Sequence, residues 1–324
     1  MVHSDGESDI IALQSALRAV GIPLTHEQIA IHIDRPFLLV GSEEWLDRTT
    51  LQLFPRMQTV LPADLLAFRL EHYRQLRALG VNLLGTWCAD APALTRTLDG
   101  LAREGMACMI ICNTDGPLPV VRYTGSTWIS ADASIAAWDT QLVGASQPNG
   151  YYVISLEREE GATADSLADR ITRARKMLTS PVVFRFPTPN HPLRIYQAWH
   201  TGIASLAVIA YAAKEAAPLS IVSDTVAQVF ARFHGRAMQS INVVTQWEKE
   251  DGSREKNTSL YEDIRSKYLD IVYLFELVCT QFPKNGPVRA LSLAEGALIA
   301  EVCTDARLVY GELCELLERL EKAV

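Results

Sequence analysis

Residues 8–21, SDIIALQSALRAVG, are the stretch from which the fold of the N-terminal half is read. Apolar side chains fall at Ile10, Ile11, Leu13, Ala16, Leu17 and Val20, the spacing of an amphipathic helix with one face committed to a core. Gly21 stops that helix and Pro23 follows it. Thr25 opens a second short helix running through Ile31, and 37–40 (FLLV) has the length of a short buried strand. Two longer helices are expected over 62–79, with Pro62 in its first turn and Gly80 after it, and over 92–104, stopped by Gly105. Directly after Gly105, 106–113 (MACMIICN) is a continuous apolar run ending at the turn Asp115-Gly116-Pro117, which predicts a central strand buried on both faces. Shorter β-prone pieces follow at 119–123, 126–130 and 150–156, separated by turn residues as in an antiparallel sheet. Helices followed by strands predict an α+β domain.

Beyond about residue 163 the pattern changes. Residues 164–178 are helical, with Asp165 and Asp169 early and Arg173, Arg175 and Lys176 late, in the order a helix dipole favours. Residues 181–192 contain Pro181, Pro187, Pro189 and Pro192 and cannot be helical throughout; the stretch reads as a linker, or VVFRF as one more strand. Everything after Arg194 has helical periodicity, roughly 194–214, 220–247, 259–282 and 290–322. The breaks fall at Pro218, at the polar run 249–258, read as a mobile surface loop, and at 283–287. The expected organisation is therefore an α+β domain over 1–190 and a helical bundle over 191–324. No internal repeat is visible.

The chain has 324 residues, 48% of them hydrophobic and 21% charged, with a net charge of -8. That is enough apolar material for a large core without disulfide or metal staples. The negative charge argues against general nucleic-acid binding, which needs a basic face. The N-terminus lacks the basic and apolar regions of a signal peptide, and the most apolar stretch, 202–213, is too short to span a bilayer, which takes about 20 residues. The six cysteines lie in apolar patterns and read as reduced core residues, so the cytoplasm is the expected location.

Two segments carry a family resemblance. SDIIALQSALRAVGIPLTHEQI resembles the opening of butirosin-type acyltransferases and of their relatives, the bacteriocin-processing papain-like peptidases: a cysteine, an alanine- and leucine-rich helix, a glycine, then a leucine–serine/threonine turn. LDGLAREGMACMIICNTDGPLPV (98–120) resembles their segment of helix, glycine, buried strand, aspartate and Leu-Pro. The all-helical C-terminal half is a third, weaker match. The resemblance implies a papain-like scaffold in the N-terminal half. It also implies two losses. The nucleophilic cysteine is replaced by Ser8, and the histidine expected on a strand after Pro119 is missing, because no histidine occurs between Val120 and Asn190. Without an imidazole base, papain-type catalysis drops by orders of magnitude.

Ser8 has two readings. It is an N-cap, or plain tail, ahead of the first helix, or it is a nucleophile helped by the helix dipole. The first is preferred because serine needs an adjacent base and none is marked. Asp115 reads as an ordinary turn aspartate, or as the strand-end aspartate of the resembled family orienting a partner. Cys108 and Cys112 lie on one face of a strand, but no further pair completes a zinc site, and the scattered histidines form no ligand motif, so neither metal nor cofactor is expected. Phosphate-binding glycine loops and GxSxG are absent. Aromatic residues gather in the strand-rich part, Tyr123, Trp128, Trp138, Tyr151 and Tyr152, and Trp87 precedes the helix before the central strand. They read as the packing of a small sheet, and as ligand-binding candidates they would line a strand edge able to accept an extended chain.

The leading expectation is a non-catalytic protein that binds a peptide or carrier-bound substrate on a degenerate cysteine-hydrolase or acyltransferase scaffold, assisting the enzymes of a bacterial natural-product pathway. The alternatives are an active acyltransferase or amide-forming enzyme with Ser8 as nucleophile, and an assembly subunit whose helical half associates, for example as a homodimer. Neither nucleic acid nor a membrane is expected as a partner.

Overall fold

The computed structural model describes residues 8–41, 76, 79–88, 90–112, 116–120, 122–123, 127–129, 138–139, 151–158, 165–179, 183–187, 196–215 and 223–324. The described residues are mostly helical with small antiparallel sheets, an α+β protein. They fall into two compact units. One takes its residues from Met1–Ile33 and Pro55–Ala164, the other from Asp34–Phe54 and Asp165–Val324. The expected division at 190 falls inside the second unit, between two strands that pair with each other. The N-terminal segment after Asp34 also belongs to that unit.

The first unit opens with α1 (Ser8–Ala19) and α2 (His26–His32). Leu13, Ala16 and Leu17 on α1 are fully buried against Ile29 and Ala30 of α2 and against Val81, Leu83, Ile154 and Leu156 of a sheet. Burying such side chains is worth about 1.5–3 kcal/mol each for the larger ones, which is why the spacing of 8–21 selects a helix here. Arg158, at the far end of the sheet, donates from Nε to the Val20 carbonyl at 2.8 Å and so places a cation at the C-terminus of α1. Thr25 and Gln28 form a capping box on α2. The expected strand over 37–40 is reduced to β1 (Val40–Gly41), because Arg35–Phe37 form a 3-10 turn. The expected helix over 62–79 lies outside the described residues apart from Leu76 and Leu79.

The sheet of this unit runs in the order β2 (Val81–Cys88), β8 (Tyr151–Arg158), β3 (Ala107–Cys112), β4 (Gly116–Val120), antiparallel throughout. Between β2 and β3 lies α3 (Ala91–Arg103), capped by Asp90, whose carboxylate accepts from Ala93 N at 2.7 Å. Gly105 ends it at φ 66°, a conformation that side chains resist. The sequence pattern assigns 81–88 no element, although it is one of the two longest strands among the described residues. The short pieces β5 (Arg122–Tyr123), β6 (Thr127–Ile129) and β7 (Trp138–Asp139) form a separate three-stranded ladder.

The second unit is built on α4 (Leu167–Thr179), α5 (Ile203–Glu215), α6 (Ser223–Glu250), α7 (Arg254–Gln281) and α8 (Leu293–Ala323). Phe230, Phe233 and Phe275 pack edge to face or tilted at 5.5–5.9 Å between α6 and α7. The segment after Asp34 is threaded into this unit. Phe37 stacks on Trp247 at 5.5 Å, buried Arg236 donates from Nη1 to the Leu38 carbonyl at 2.7 Å, and Ser240 donates to the Pro36 carbonyl at 3.1 Å. Val40 then faces Thr201 in a sheet ordered β1, β10 (Tyr196–Thr201), β9 (Val183–Pro187).

Two expectations are corrected in this unit. Residues 196–201 are a strand, with the helix beginning only at Ile203. Gly202 makes the break: it sits at φ 63°, its N–H donates to the Leu39 carbonyl at 2.9 Å, and a Cβ there would lie 2.3 Å from the Leu178 carbonyl oxygen. The polar run 249–258 is not a long loop. α6 continues to Glu250 and α7 starts at Arg254, and the tight turn is held by buried Asp251, which accepts from Ser253 N, Asn257 Nδ2 and Tyr261 Oη. The open question over 181–192 resolves toward the strand, since β9 pairs with β10 along its length. No described helix is long and apolar enough to cross a membrane.

Candidate peptide-binding edge

The two edges of the four-stranded sheet differ in chemistry. β4, five residues long, carries Pro117 and Pro119, which have no N–H to offer a further strand. β2, eight residues long, contains neither proline nor charge (VNLLGTWC) and pairs, among the described residues, with β8 alone. Every second residue of such an edge turns its N–H and C=O away from the existing partner. Natural edges are commonly blunted by proline, lysine or a bulge; β4 has such protection and β2 does not.

Packing fixes β2 in place. Val81 and Leu83 are buried in the core that includes residues of α1 and α2, while Cys88, at the other end, is buried and shares a hydrogen bond with Thr97 of α3 at 3.3 Å. Between these anchors the middle of the strand reaches solvent: Thr86 is exposed and Leu84 is 45% exposed. A long apolar side chain left open in the centre of an uncharged edge strand is what an incoming extended segment would cover.

The aromatic candidates are distributed over two ladders. Trp87 faces Tyr152 in the β2–β8 register, and Tyr151 faces Cys88. Tyr123 faces Trp128, and Trp128 faces Trp138, in the β5–β6–β7 ladder. The four-stranded sheet thus brings Trp87, Tyr151 and Tyr152 to one end of the β2–β8 pair, and the three-stranded ladder sets Tyr123 opposite Trp128. The edge itself was missed by sequence reading. The available signal was the uncharged run after Gly80, which Gly85 interrupts.

Ser8 is the first residue of α1. Asp115 lies outside the described residues. Four thiols are held in the protonated form by burial: Cys108 is pushed up to about 12 and Cys314 to about 11, while Cys279 and Cys303 are raised as well. A thiol needs to ionise to act as nucleophile, so none of these four is suited to that role. Cys108 is therefore a core residue of β3. Among the described residues, no group of three or more histidine, cysteine, aspartate or glutamate side chains is arranged to hold a metal ion. No protein-family profile matches the chain, and no curated protein matches it.

Proposed function

We propose that the protein is a non-catalytic binding protein that holds an extended peptide, or the peptide-like arm of a carrier-bound substrate, by adding it as a further strand alongside β2. The observation that carries this reading is the asymmetry of the sheet: one edge blunted by Pro117 and Pro119, the other an eight-residue strand free of proline and charge. Main-chain hydrogen bonds would supply affinity and the exposed Leu84 an apolar contact for alternate side chains. In this reading the scaffold is a degenerate papain-like one, the place is the cytoplasm, and the partners are the peptide-processing or acyl-transferring enzymes of a natural-product pathway. The lack of a histidine between Val120 and Asn190 supports binding over catalysis, as do the suppressed thiols.

The test is fluorescence anisotropy with uncharged, β-prone peptides of eight to ten residues, each compared with a copy N-methylated at alternate residues. Strand addition predicts that N-methylation on one parity weakens binding at least tenfold. It also predicts that Leu84→Lys with Thr86→Lys, both at solvent-facing positions, does the same while the circular dichroism melt is retained. Equal binding of methylated and unmethylated peptides would remove this site. A protein–substrate adduct that survives denaturation and disappears in Ser8→Ala would replace the binding reading with an acyl-enzyme.

A further inference from the structure

The solvent face of α7 carries a row of large apolar side chains that the bundle does not use. Leu269, Tyr273 and Leu277 follow one another at intervals of four residues and are 55%, 63% and 40% exposed. The opposite face of the same helix, with Ile264, Tyr268, Ile271, Phe275 and Val278, is fully buried. An i, i+4, i+8 row is the geometry of a helix-on-helix seam, since such residues stack on one side of the cylinder. Single exposed leucines are ordinary, but a continuous row is not.

Acids predominate around the row, with Lys267 near Asp270 and Lys284 beyond the end of the row near Cys279. Glu262, Asp270 and Glu276 are exposed beside it. The two bases between 259 and 281 are both engaged within the bundle: Arg265 with Glu248 at 2.5 Å, and Lys267 with Glu312 at 2.5 Å and Asp270 at 4.0 Å. Between α7 and α8 opens a cleft of about 300 Å³ in which Asp263, Glu312 and Glu315 outnumber Lys267 and Arg319. This electrostatic surround rules against a second copy of the chain as occupant. A two-fold antiparallel pairing centred on Tyr273 would set Asp270 against Glu276 twice, and a parallel pairing would set each acid against itself.

We propose that the outer face of α7 docks an amphipathic helix of another protein, one whose apolar seam is flanked by lysine or arginine. The seam covers Leu269, Tyr273 and Leu277, and the flanking cations meet Glu262, Asp270 and Glu276. The site lies wholly on the helical unit and is independent of the β2 edge.

The probe is a pair of synthetic 24-residue helical peptides sharing one leucine seam, flanked in one by lysine and arginine and in the other by glutamate. Binding to the full-length protein is read by fluorescence anisotropy at 50 and 300 mM NaCl. The expected result is at least tenfold tighter binding of the basic peptide, a preference that shrinks at high salt. Binding should also fall at least tenfold in the triple variant Leu269→Ser, Tyr273→Ser, Leu277→Ser. A second variant, Asp270→Asn with Glu276→Gln, keeps the seam and should lose only the charge preference. Equal affinity for both peptides, or undiminished binding by the triple variant, overturns the proposal. So does sedimentation of the free protein as a dimer that the triple variant makes monomeric, because the occupant is then a second copy.

Discussion

Asp34 is held under two opposing influences. Its side chain is 5% exposed, and its backbone sits at φ 51°, where a residue other than glycine is uncommon. Arg173 reaches it from Nε at 3.0 Å and, through Nη1, reaches Asp165 at the same distance. One guanidinium thus ties together the first residues of both segments that make up the helical unit. Burial outweighs the attraction of Arg173 and, with the repulsion of Asp165, leaves the Asp34 carboxyl raised to about 7, with Arg170 also pulling it down. A carboxyl that binds its proton more tightly in the folded state gives stability that is complete below its unfolded value near 3.8 and is lost as pH rises through about 7. Each pH unit in that window is worth about 1.4 kcal/mol. Asp34→Asn removes the titration and keeps a side chain that tolerates positive φ. Urea unfolding monitored at pH 5, 6, 7 and 8 should therefore show a stability difference, variant minus wild type, that grows with pH and levels off above 7. A difference constant across the series would mean that Asp34 is ionised throughout.

Among the elements, α8 shows most plainly how local sequence and packing agree. Ser292 and Glu295 close a capping box, with Glu295 N donating to Ser292 Oγ at 3.3 Å and Ser292 N to Glu295 Oε2 at 2.8 Å. Arg289 grips the same carboxylate with Nη1 and Nη2, at 2.9 and 2.5 Å, and with these bonds holds it well below the usual carboxylate range. Ser292→Ala should lower stability by about 1 kcal/mol in urea titrations, with an unchanged slope. Such elements were legible in sequence because their signal is local: the 3.6-residue periodicity lies within one stretch, as it does for α1 and α3, which are followed by Gly21 and Gly105. Others depended on residues far away. The run 196–201 reads as helix because its apolar pattern continues into α5; only the close approach of Gly202 to the Leu178 carbonyl forces the break. The polar run 249–258 reads as a loop, yet glutamate, lysine and arginine are good helix formers, and the buried Asp251 compresses the turn to three residues. β2 was illegible because an uncharged run with a central glycine matches no period. The candidate edge, being β2 itself, was hidden with it. Trp87, Tyr151 and Tyr152 were singled out by residue type, but their convergence on one end of a strand pair is a matter of register.

At the level of the whole molecule, the division into units does not follow the order of the chain. A boundary drawn where composition changes would give the first 40 residues entirely to the α+β unit. The structure instead gives 34–41 to the helical one. Phe37 is 1% exposed and stacks on Trp247 with the rings 14° from parallel, while Tyr268 lies 6.5 Å from it on the next helix. Phe37→Ala should accordingly destabilise the helical unit, by about 3–5 kcal/mol as for other large-to-small core changes. Hydrogen exchange localised by mass spectrometry should show the loss in α6 and α7. A loss confined to α1 and α2 would instead make 34–41 part of the first unit. The same packing says that a fragment beginning at residue 191 would lack both Phe37 and the strand β9 that pairs with β10.

This threading also has a consequence in time. A ribosome delivers PFLLV long before it delivers what PFLLV packs against: the arginine that binds the Leu38 carbonyl lies 198 residues further on. At roughly 5–20 residues per second the gap is on the order of 10–40 s. Throughout that interval an apolar pentapeptide waits on the nascent chain without its partners, exposed to any holdase that recognises such segments. Most of the helical unit is therefore completed with a piece made long before it, and no transcript that lacks that piece can encode the unit whole.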